Sequence, residues 1–228
     1  NIYGSELVLR YANLQKRKVL LASTSEVYGK STAERFAEDD DLVLGATTKG
    51  RWSYACSKAI DEFLAIAYWK ERKLPVIVAR LFNTIGPRQT GRYGMVVPRF
   101  VRAALKNQPI PVYGTGKQTR CFTSVADVVQ VLKMLVEEER AVGQIFNIGG
   151  TDRITIEDLA QRIKQMTNSQ SEILYIPYNE AYAEGFEDML HRMPDVSKLR
   201  RYLGFVPNTP LDVMLKDVIT WIQSQDDV

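Results

Sequence analysis

Apolar positions recur with a helical period in residues 4–16 (GSELVLRYANLQK), where Leu7, Val8 and Tyr11 share one stripe. VLLAS, 19–23, is a short continuous apolar run, the pattern of a buried parallel strand. Residues 24–52 have no clear period and are expected to form a long loop, of a length that usually carries function. The strongest helix pattern spans 53–72, with Cys56, Ile60, Phe63, Leu64 and Ala67 on one face at 3.6 spacing.

PVIVARLF, 75–82, reads as a second buried strand, followed by a Gly/Pro/Arg-rich loop and a helix near 96–106. Short strands are expected at 110–113 and 119–123. Ser124 then caps a helix running to about Glu139. QIFNIGG, 144–150, is a further strand, and Thr155 with Asp158 opens a helix to about Met166. EILYIP, 172–177, reads as a strand. Asp195 caps a short helix ended by Gly204, and Pro210 begins the last helix. Strands alternating with helices predict an α/β fold built on a doubly wound parallel sheet. Residues from about 151 are more mixed and are expected to form a smaller lobe packed closely on it.

Composition narrows the chemistry. The 228 residues are 45% hydrophobic and 25% charged, as in an ordinary globular protein, and the apolar runs are too short to span a bilayer. Two cysteines without paired spacing and no secretion signal in the first ten residues point to a reduced, cytoplasmic setting. The one histidine, His191, excludes a multi-histidine metal site, and no metal site is expected. No Gly-x-Ser-x-Gly elbow supports a histidine-based hydrolase. The net charge is +3, yet Arg72 to Ala126 contains no acid and carries +10, leaving −7 on the remainder. That segment is either a basic surface face or an anion site, since arginine forks suit phosphate and carboxylate. No nucleic-acid-binding motif accompanies it, so a nucleic-acid partner is not expected.

Four stretches carry candidate chemistry. In WSYACSK, 52–58, Tyr54 and Lys58 are one helical turn apart and share a face with Asp61 and Glu62. Such a pair is either helix surface or a proton-transfer pair in which the ammonium favours the phenolate. STSEVYG, 23–29, follows a strand and offers Ser23, Thr24, Ser25 and Glu26 where open α/β sheets bind ligands. RLFNTIGPR, 80–88, presents Asn83 and Arg88 at the next strand end, and VYGTGKQTRCF, 112–122, resembles a phosphate loop but lacks its leading glycine and its Ser/Thr.

As an ordered set, STSEVYG, YACSK, RLFNTIGPR, VYGTGKQTR, FNIGG and HRMPD resemble the extended short-chain dehydrogenase/reductase family. Within it they are similar to NAD-dependent enzymes that modify nucleotide sugars, UDP-glucuronate decarboxylases first and UDP-glucose 4-epimerases next. The resemblance implies NAD as cofactor and a UDP-sugar as substrate. It implies that Tyr54 is the base, that Lys58 lowers its pKa and holds the nicotinamide ribose, and that Ser23 and Phe82 also border the cofactor. By the same resemblance Thr24 bonds the sugar 4-OH, Glu26 is the decarboxylase glutamate, and Arg192 lies near the sugar carboxylate. Ser25, Asn83, Arg88 and Arg120 then contact substrate, and Tyr113 holds the base. Dehydratases of the family carry Thr-Asp-Glu where this chain has Thr24-Ser25-Glu26, which disfavours dehydration. The family opens with a glycine-rich dinucleotide turn, and no Gly-x-Gly-x-x-Gly occurs here. The expectation is an N-terminally truncated Rossmann-like domain over 1–150, with part of the substrate site at 88–122. Residues 151–228 are mostly substrate lobe, and the chain alone should bind NAD poorly. The resemblance also implies a homodimer through helices 4–16 and 53–72.

Overall fold

The computed structural model describes residues 1–91, 95–181 and 192–225. His191 and Arg92 lie outside the described residues. Helix α1 (Ile2–Leu14) leads into β1 (Val19–Thr24), and after a one-turn 3-10 helix at Ser25–Tyr28 the chain reaches α2 (Trp52–Arg72). Then follow β2 (Val76–Leu81), β3 (Thr84–Ile85), α3 (Val96–Leu105), β4 (Ile110–Tyr113), β5 (Thr119–Cys121), β6 (Thr123–Ser124) and α4 (Val125–Glu137). The remainder is β7 (Ile145–Ile148), β8 (Arg153–Thr155), α5 (Ile156–Met166), β9 (Ile173–Ile176), α6 (Tyr178–Ala181), α7 (Ser197–Leu203) and α8 (Leu211–Gln225).

The central sheet is parallel, in the order β1-β2-β7, with helices on both faces, as a doubly wound fold requires. Alternation along the strands sorts the two cores. Val76 and Val78 face α1 and α2, whereas Ile77 and Ala79 face α4 and α7 with Phe146 and Ile148. A second core joins α3 and β4 to α5 and α8, so early and late parts of the chain share it. The expected strand 119–123 divides into β5, which pairs antiparallel with β8, and β6, which pairs parallel with β3.

Local signals act as the sequence predicts. Ser124 and Thr155 accept hydrogen bonds from the N–H groups of Ala126 and Asp158. Gly204 ends α7 at φ +64°, as expected, whereas the N-cap of α7 is Val196 and the expected cap Asp195 stands one residue ahead of it, accepting from the Ser197 N–H at 2.7 Å. The expected loop 24–52 is not a loose excursion. Val27, Tyr28, Phe36 and Trp52 bury against Ala59 and Phe82, and Tyr28 stacks on Phe36 with centroids 4.7 Å apart.

The facing of α2 runs against its amphipathic pattern. The apolar stripe of 53–72 does not face the core: Cys56, Ile60 and Phe63 are exposed, Phe63 to 71%, and Leu64 and Ala67 are only half-buried. The polar positions Lys58, Asp61 and Glu62 are buried instead, beside Trp52, Ala55, Ala59 and Ala65. On α1, likewise, Val8 and Tyr11 are exposed and Leu9 is buried. The cause is a polar row across the sheet. Ser23, Arg80 and Asn147 are in register on β1, β2 and β7, and all three are buried. Arg80 grips Glu62 with its fork, Nη2 to Oε2 at 2.8 Å, and Ser23 donates to the same carboxylate. Arg80 also donates to the Tyr28 hydroxyl and to the Glu38 carbonyl, each at 2.9 Å, and Tyr28 donates to Asn147 Oδ1 at 2.7 Å. A sheet face presenting a guanidinium demands a carboxylate from the helix above it, so the charged side of α2 turns inward.

Removing one partner of a buried pair strands the other charge, at a cost of about 3–5 kcal/mol. Urea unfolding should therefore show Arg80→Met and Glu62→Leu each losing about that much. The double variant should lose less than either single one, because no buried charge is left uncompensated.

Candidate active site

The loops leaving β1 and β2 diverge at their carboxyl ends and open a cavity of about 610 Å³. Thr24 Oγ1 accepts the Glu26 N–H at 3.2 Å, closing the 3-10 turn that buries Val27 and Tyr28 and leaves Glu26 on the cavity wall. Ser23, Thr24 and Ser25 line the same wall, and Tyr54 enters from the first turn of α2. From β2 come Phe82 and Asn83. Asn83 Nδ2 donates to the Cys121 carbonyl at 3.1 Å, tying this loop to β5.

Glu26 gathers three segments. Its Oε1 lies 3.3 Å from Arg192 Nη2 and its Oε2 lies 3.2 Å from Arg51 Nη1. Arg51 directly precedes α2, and Arg192 belongs to the C-terminal part, so strand end, helix start and lobe meet on one carboxylate. A different cationic group lines the cavity elsewhere. Arg99 of α3 lies over the Tyr113 ring, 5.1 Å from its centroid, and donates to the Tyr113 hydroxyl. Gln118 Nε2 donates to the Tyr113 carbonyl at 3.0 Å, and Arg120 also borders the cavity. Gly114 follows at φ +66°, where an added Cβ would collide with the ring of Tyr178, another lining residue.

Ten of the sequence-predicted residues thus share one cavity, and two do not. Arg88 is exposed, at φ +68°, and does not line it. Lys58 lies beneath the wall, and its Nζ is bonded to Asp61 Oδ2 at 2.8 Å. The expected lowering of the Tyr54 pKa by Lys58 is not what this geometry produces. Partial burial, then the charges of Glu26 and Asp61, hold the phenol above its ordinary value of 10.0. Arg51, Arg99 and Gln118 escaped sequence reasoning. Arg99 was one of ten like charges in the acid-free segment, and Arg51 stands one residue ahead of WSYACSK.

The residues present fit the nicotinamide end of a dinucleotide. Ser23, Tyr54 and Phe82 border the cavity at the strand ends, and Lys58 lies one helical turn from Tyr54.

Comparison with known proteins identifies the family and the fold. A family model described as GDP-mannose 4,6 dehydratase matches residues 5–218. UDP-N-acetyl-alpha-D-glucosaminuronate decarboxylase of Bacillus cytotoxicus is 46% identical over 224 residues, covering 98% of this chain and 69% of that protein. UDP-glucuronic acid decarboxylase 1 of Danio rerio is 34% identical, covering 99% of this chain and 52% of that protein. Among solved structures, Pal from Bacillus thuringiensis superposes with a TM-score of 0.86 at 29% identity, covering 98% of this chain and 68% of its own. Epimerase Mth375 from Methanothermobacter thermautotrophicus also superposes with a TM-score of 0.86, at 26% identity, covering 98% and 64%. The fold and site define a class, the NAD-dependent epimerase/dehydratases that act on nucleotide sugars. The chain belongs to the GDP-mannose 4,6 dehydratase family within that class. It spans 52 to 69% of the length of the two decarboxylase relatives.

Burial pushes the Cys121 thiol up to about 11, whereas Cys56 is exposed. At pH 8 only about one Cys121 in a thousand is thiolate. Mass spectrometry after brief iodoacetamide treatment should find Cys121 intact in the native protein and modified only once it is unfolded in urea.

Proposed function

We propose that the protein decarboxylates a UDP-linked hexuronic acid after oxidation at C4. The observation that carries this reading is the Glu26 carboxylate held between Arg51 and Arg192 on the wall that also presents Tyr54. Guanidinium forks bind carboxylates bidentately, so the two arginines suit a sugar acid beside the base. The names of the 46% and 34% identical relatives, both decarboxylases of UDP-linked uronic acids, support it. Arg99, Tyr113 and Arg120 supply the cations and the aromatic face that a diphosphate and a base require. The cavity of about 610 Å³ lies within the usual range for a ligand of that size.

NAD, when bound, supplies the hydride acceptor and donor at sugar C4. Tyr54 takes the C4 hydroxyl proton, and Thr24 bonds the same hydroxyl and fixes its direction. The 4-keto sugar acid is a β-keto acid, so the C5–carboxylate bond breaks as CO₂ leaves and its electron pair moves into the C4 carbonyl. A proton then returns to C5. Arg192 and Arg51 hold the departing carboxylate, and Glu26 keeps both guanidiniums in place.

An epimerase would share the first step and turn the keto sugar over, and Mth375, which has the same fold, is named an epimerase. Incubating the full-length protein with NAD⁺ and UDP-glucuronate or UDP-N-acetylglucosaminuronate separates the two readings. CO₂ and a UDP-pentose or its 4-keto precursor are expected, with the better substrate being the N-acetylated one, which the name of the more identical relative carries. A C4 epimer without CO₂ contradicts the proposal. Tyr54→Phe should lower kcat by about 10²–10⁴-fold.

The outward stripes of α1 and α2, with Tyr11 62% and Phe63 71% exposed on two packed helices, support a further proposal. Two copies would bury these faces against each other. Sedimentation of the full-length protein should show a dimer, and Tyr11→Glu with Phe63→Glu should yield monomer. Unaltered sedimentation of that variant would remove the pairing from these helices.

A further inference from the structure

Lys58 has two possible partners on its own helix face besides Tyr54, namely Asp61 at i+3 and Glu62 at i+4. Glu62 is committed to Arg80 and Ser23. Asp61 takes the ammonium, Nζ to Oδ2 at 2.8 Å, and is 0% exposed. Its other oxygen, Oδ1, makes no hydrogen bond among the described residues. A buried carboxylate satisfied on one side only is held in place by that single cation. The arrangement is not a solvated surface pair, because the Lys58 ammonium is itself nearly enclosed.

The groups that face Tyr54 or share its wall are Glu26 from the turn after β1, Arg51 ahead of α2, Arg192 from the C-terminal part, and Lys58 and Asp61 from α2 itself. Both arginines are engaged with Glu26, which leaves Lys58 as the cation on the same helix face as the phenol. We propose that Asp61 is a positioning residue that holds the Lys58 ammonium away from the Tyr54 phenol, so that the tyrosine keeps its proton until the ammonium is drawn off the carboxylate. The proposal rests on the reading of Tyr54 as the proton-transfer group. In support, after burial and the Glu26 charge, the Asp61 charge raises the proton affinity of Tyr54. The family resemblance assigns roles to Tyr54 and Lys58 and none to Asp61.

The sign of the effect is fixed. An anion near a phenol disfavours phenolate, and an ammonium favours it. Asp61→Asn removes the anion and releases the cation, so the Tyr54 midpoint must fall. The test is the titration of ring-¹³C-labelled tyrosine by NMR, with Tyr54→Phe identifying the signal. Asp61→Asn should titrate at lower pH than the unsubstituted protein, and Asp61→Glu should return towards it. Adding Lys58→Met to Asp61→Asn should move the midpoint back up, which a purely structural role for Asp61 would not do. An unmoved midpoint in Asp61→Asn, or identical midpoints with and without Lys58, overturns the proposal.

Should Asp61→Asn unfold, ¹⁵N NMR of Lys58 in the unsubstituted protein decides. At neutral pH the ammonium should show the slowed rotation and proton exchange of a cation bonded to a carboxylate, and the freely rotating signal of a solvated ammonium contradicts the assignment. In the full-length protein with NAD⁺, the acid limb of kcat/KM should move to lower pH in Asp61→Asn. If no hexuronate is turned over, the functional reading fails while the tyrosine titration still judges the role of Asp61.

Discussion

The buried ion pair between Arg80 of β2 and Glu62 of α2 sets the arrangement of the strand ends. Two charges removed from water are costly, and the pair is tolerable only because its remaining hydrogen-bonding capacity is used. Arg80 places its fork on Glu62 and extends Nη1 to Tyr28 and to the Glu38 carbonyl. Ser23 completes Glu62, and Asn147 completes Tyr28 while taking Glu38 Oε1 on its own N–H at 2.8 Å. The network joins all three strands, the segment 25–38 and the helix. Its dryness shows in Tyr28, whose phenol burial pushes up to about 12 despite the guanidinium beside it.

The site inherits its form from this constraint. With Glu62 pinned, the turn of α2 below it carries Lys58 and Asp61 inward and delivers Tyr54 to the cavity rim, 48% exposed. The opposite face, bearing Ile60 and Phe63, is left outward. A second convergence, Glu26 between Arg51 and Arg192, then fastens the start of α2 to the strand end and to the C-terminal part. Chemistry and architecture therefore use the same kind of bond at adjacent places: carboxylates from one segment closing on cations from another.

Element types were legible because their signals are local. The helices and strands follow apolar period, and Ser124, Thr155 and Gly204 act at their termini as their side chains or backbone freedom dictate. The facing of α2 was not legible, because amphipathicity reports only which side is apolar. Here a charged strand residue outweighed the apolar stripe, and Arg80 reads in sequence as one more basic residue of a basic segment. The strand-end residues that line the cavity stand in motifs readable from sequence. Arg51 and Arg99 do not, since each reaches the cavity through a neighbour distant in sequence, Glu26 and Tyr113 respectively. Arg88 is the opposite case: it stands in a matching motif but is exposed and does not line the cavity.

The dependence of α2 on the Arg80 fork is most directly measured by hydrogen exchange of backbone amides in Arg80→Lys, which keeps the charge and loses the bidentate geometry. Faster exchange concentrated in residues 52–62, with the amides of α5 and α8 unchanged, is the predicted result. Exchange that is unchanged throughout, or raised equally in α2 and in the second core, would contradict the claim that this pair holds α2 over the strand ends.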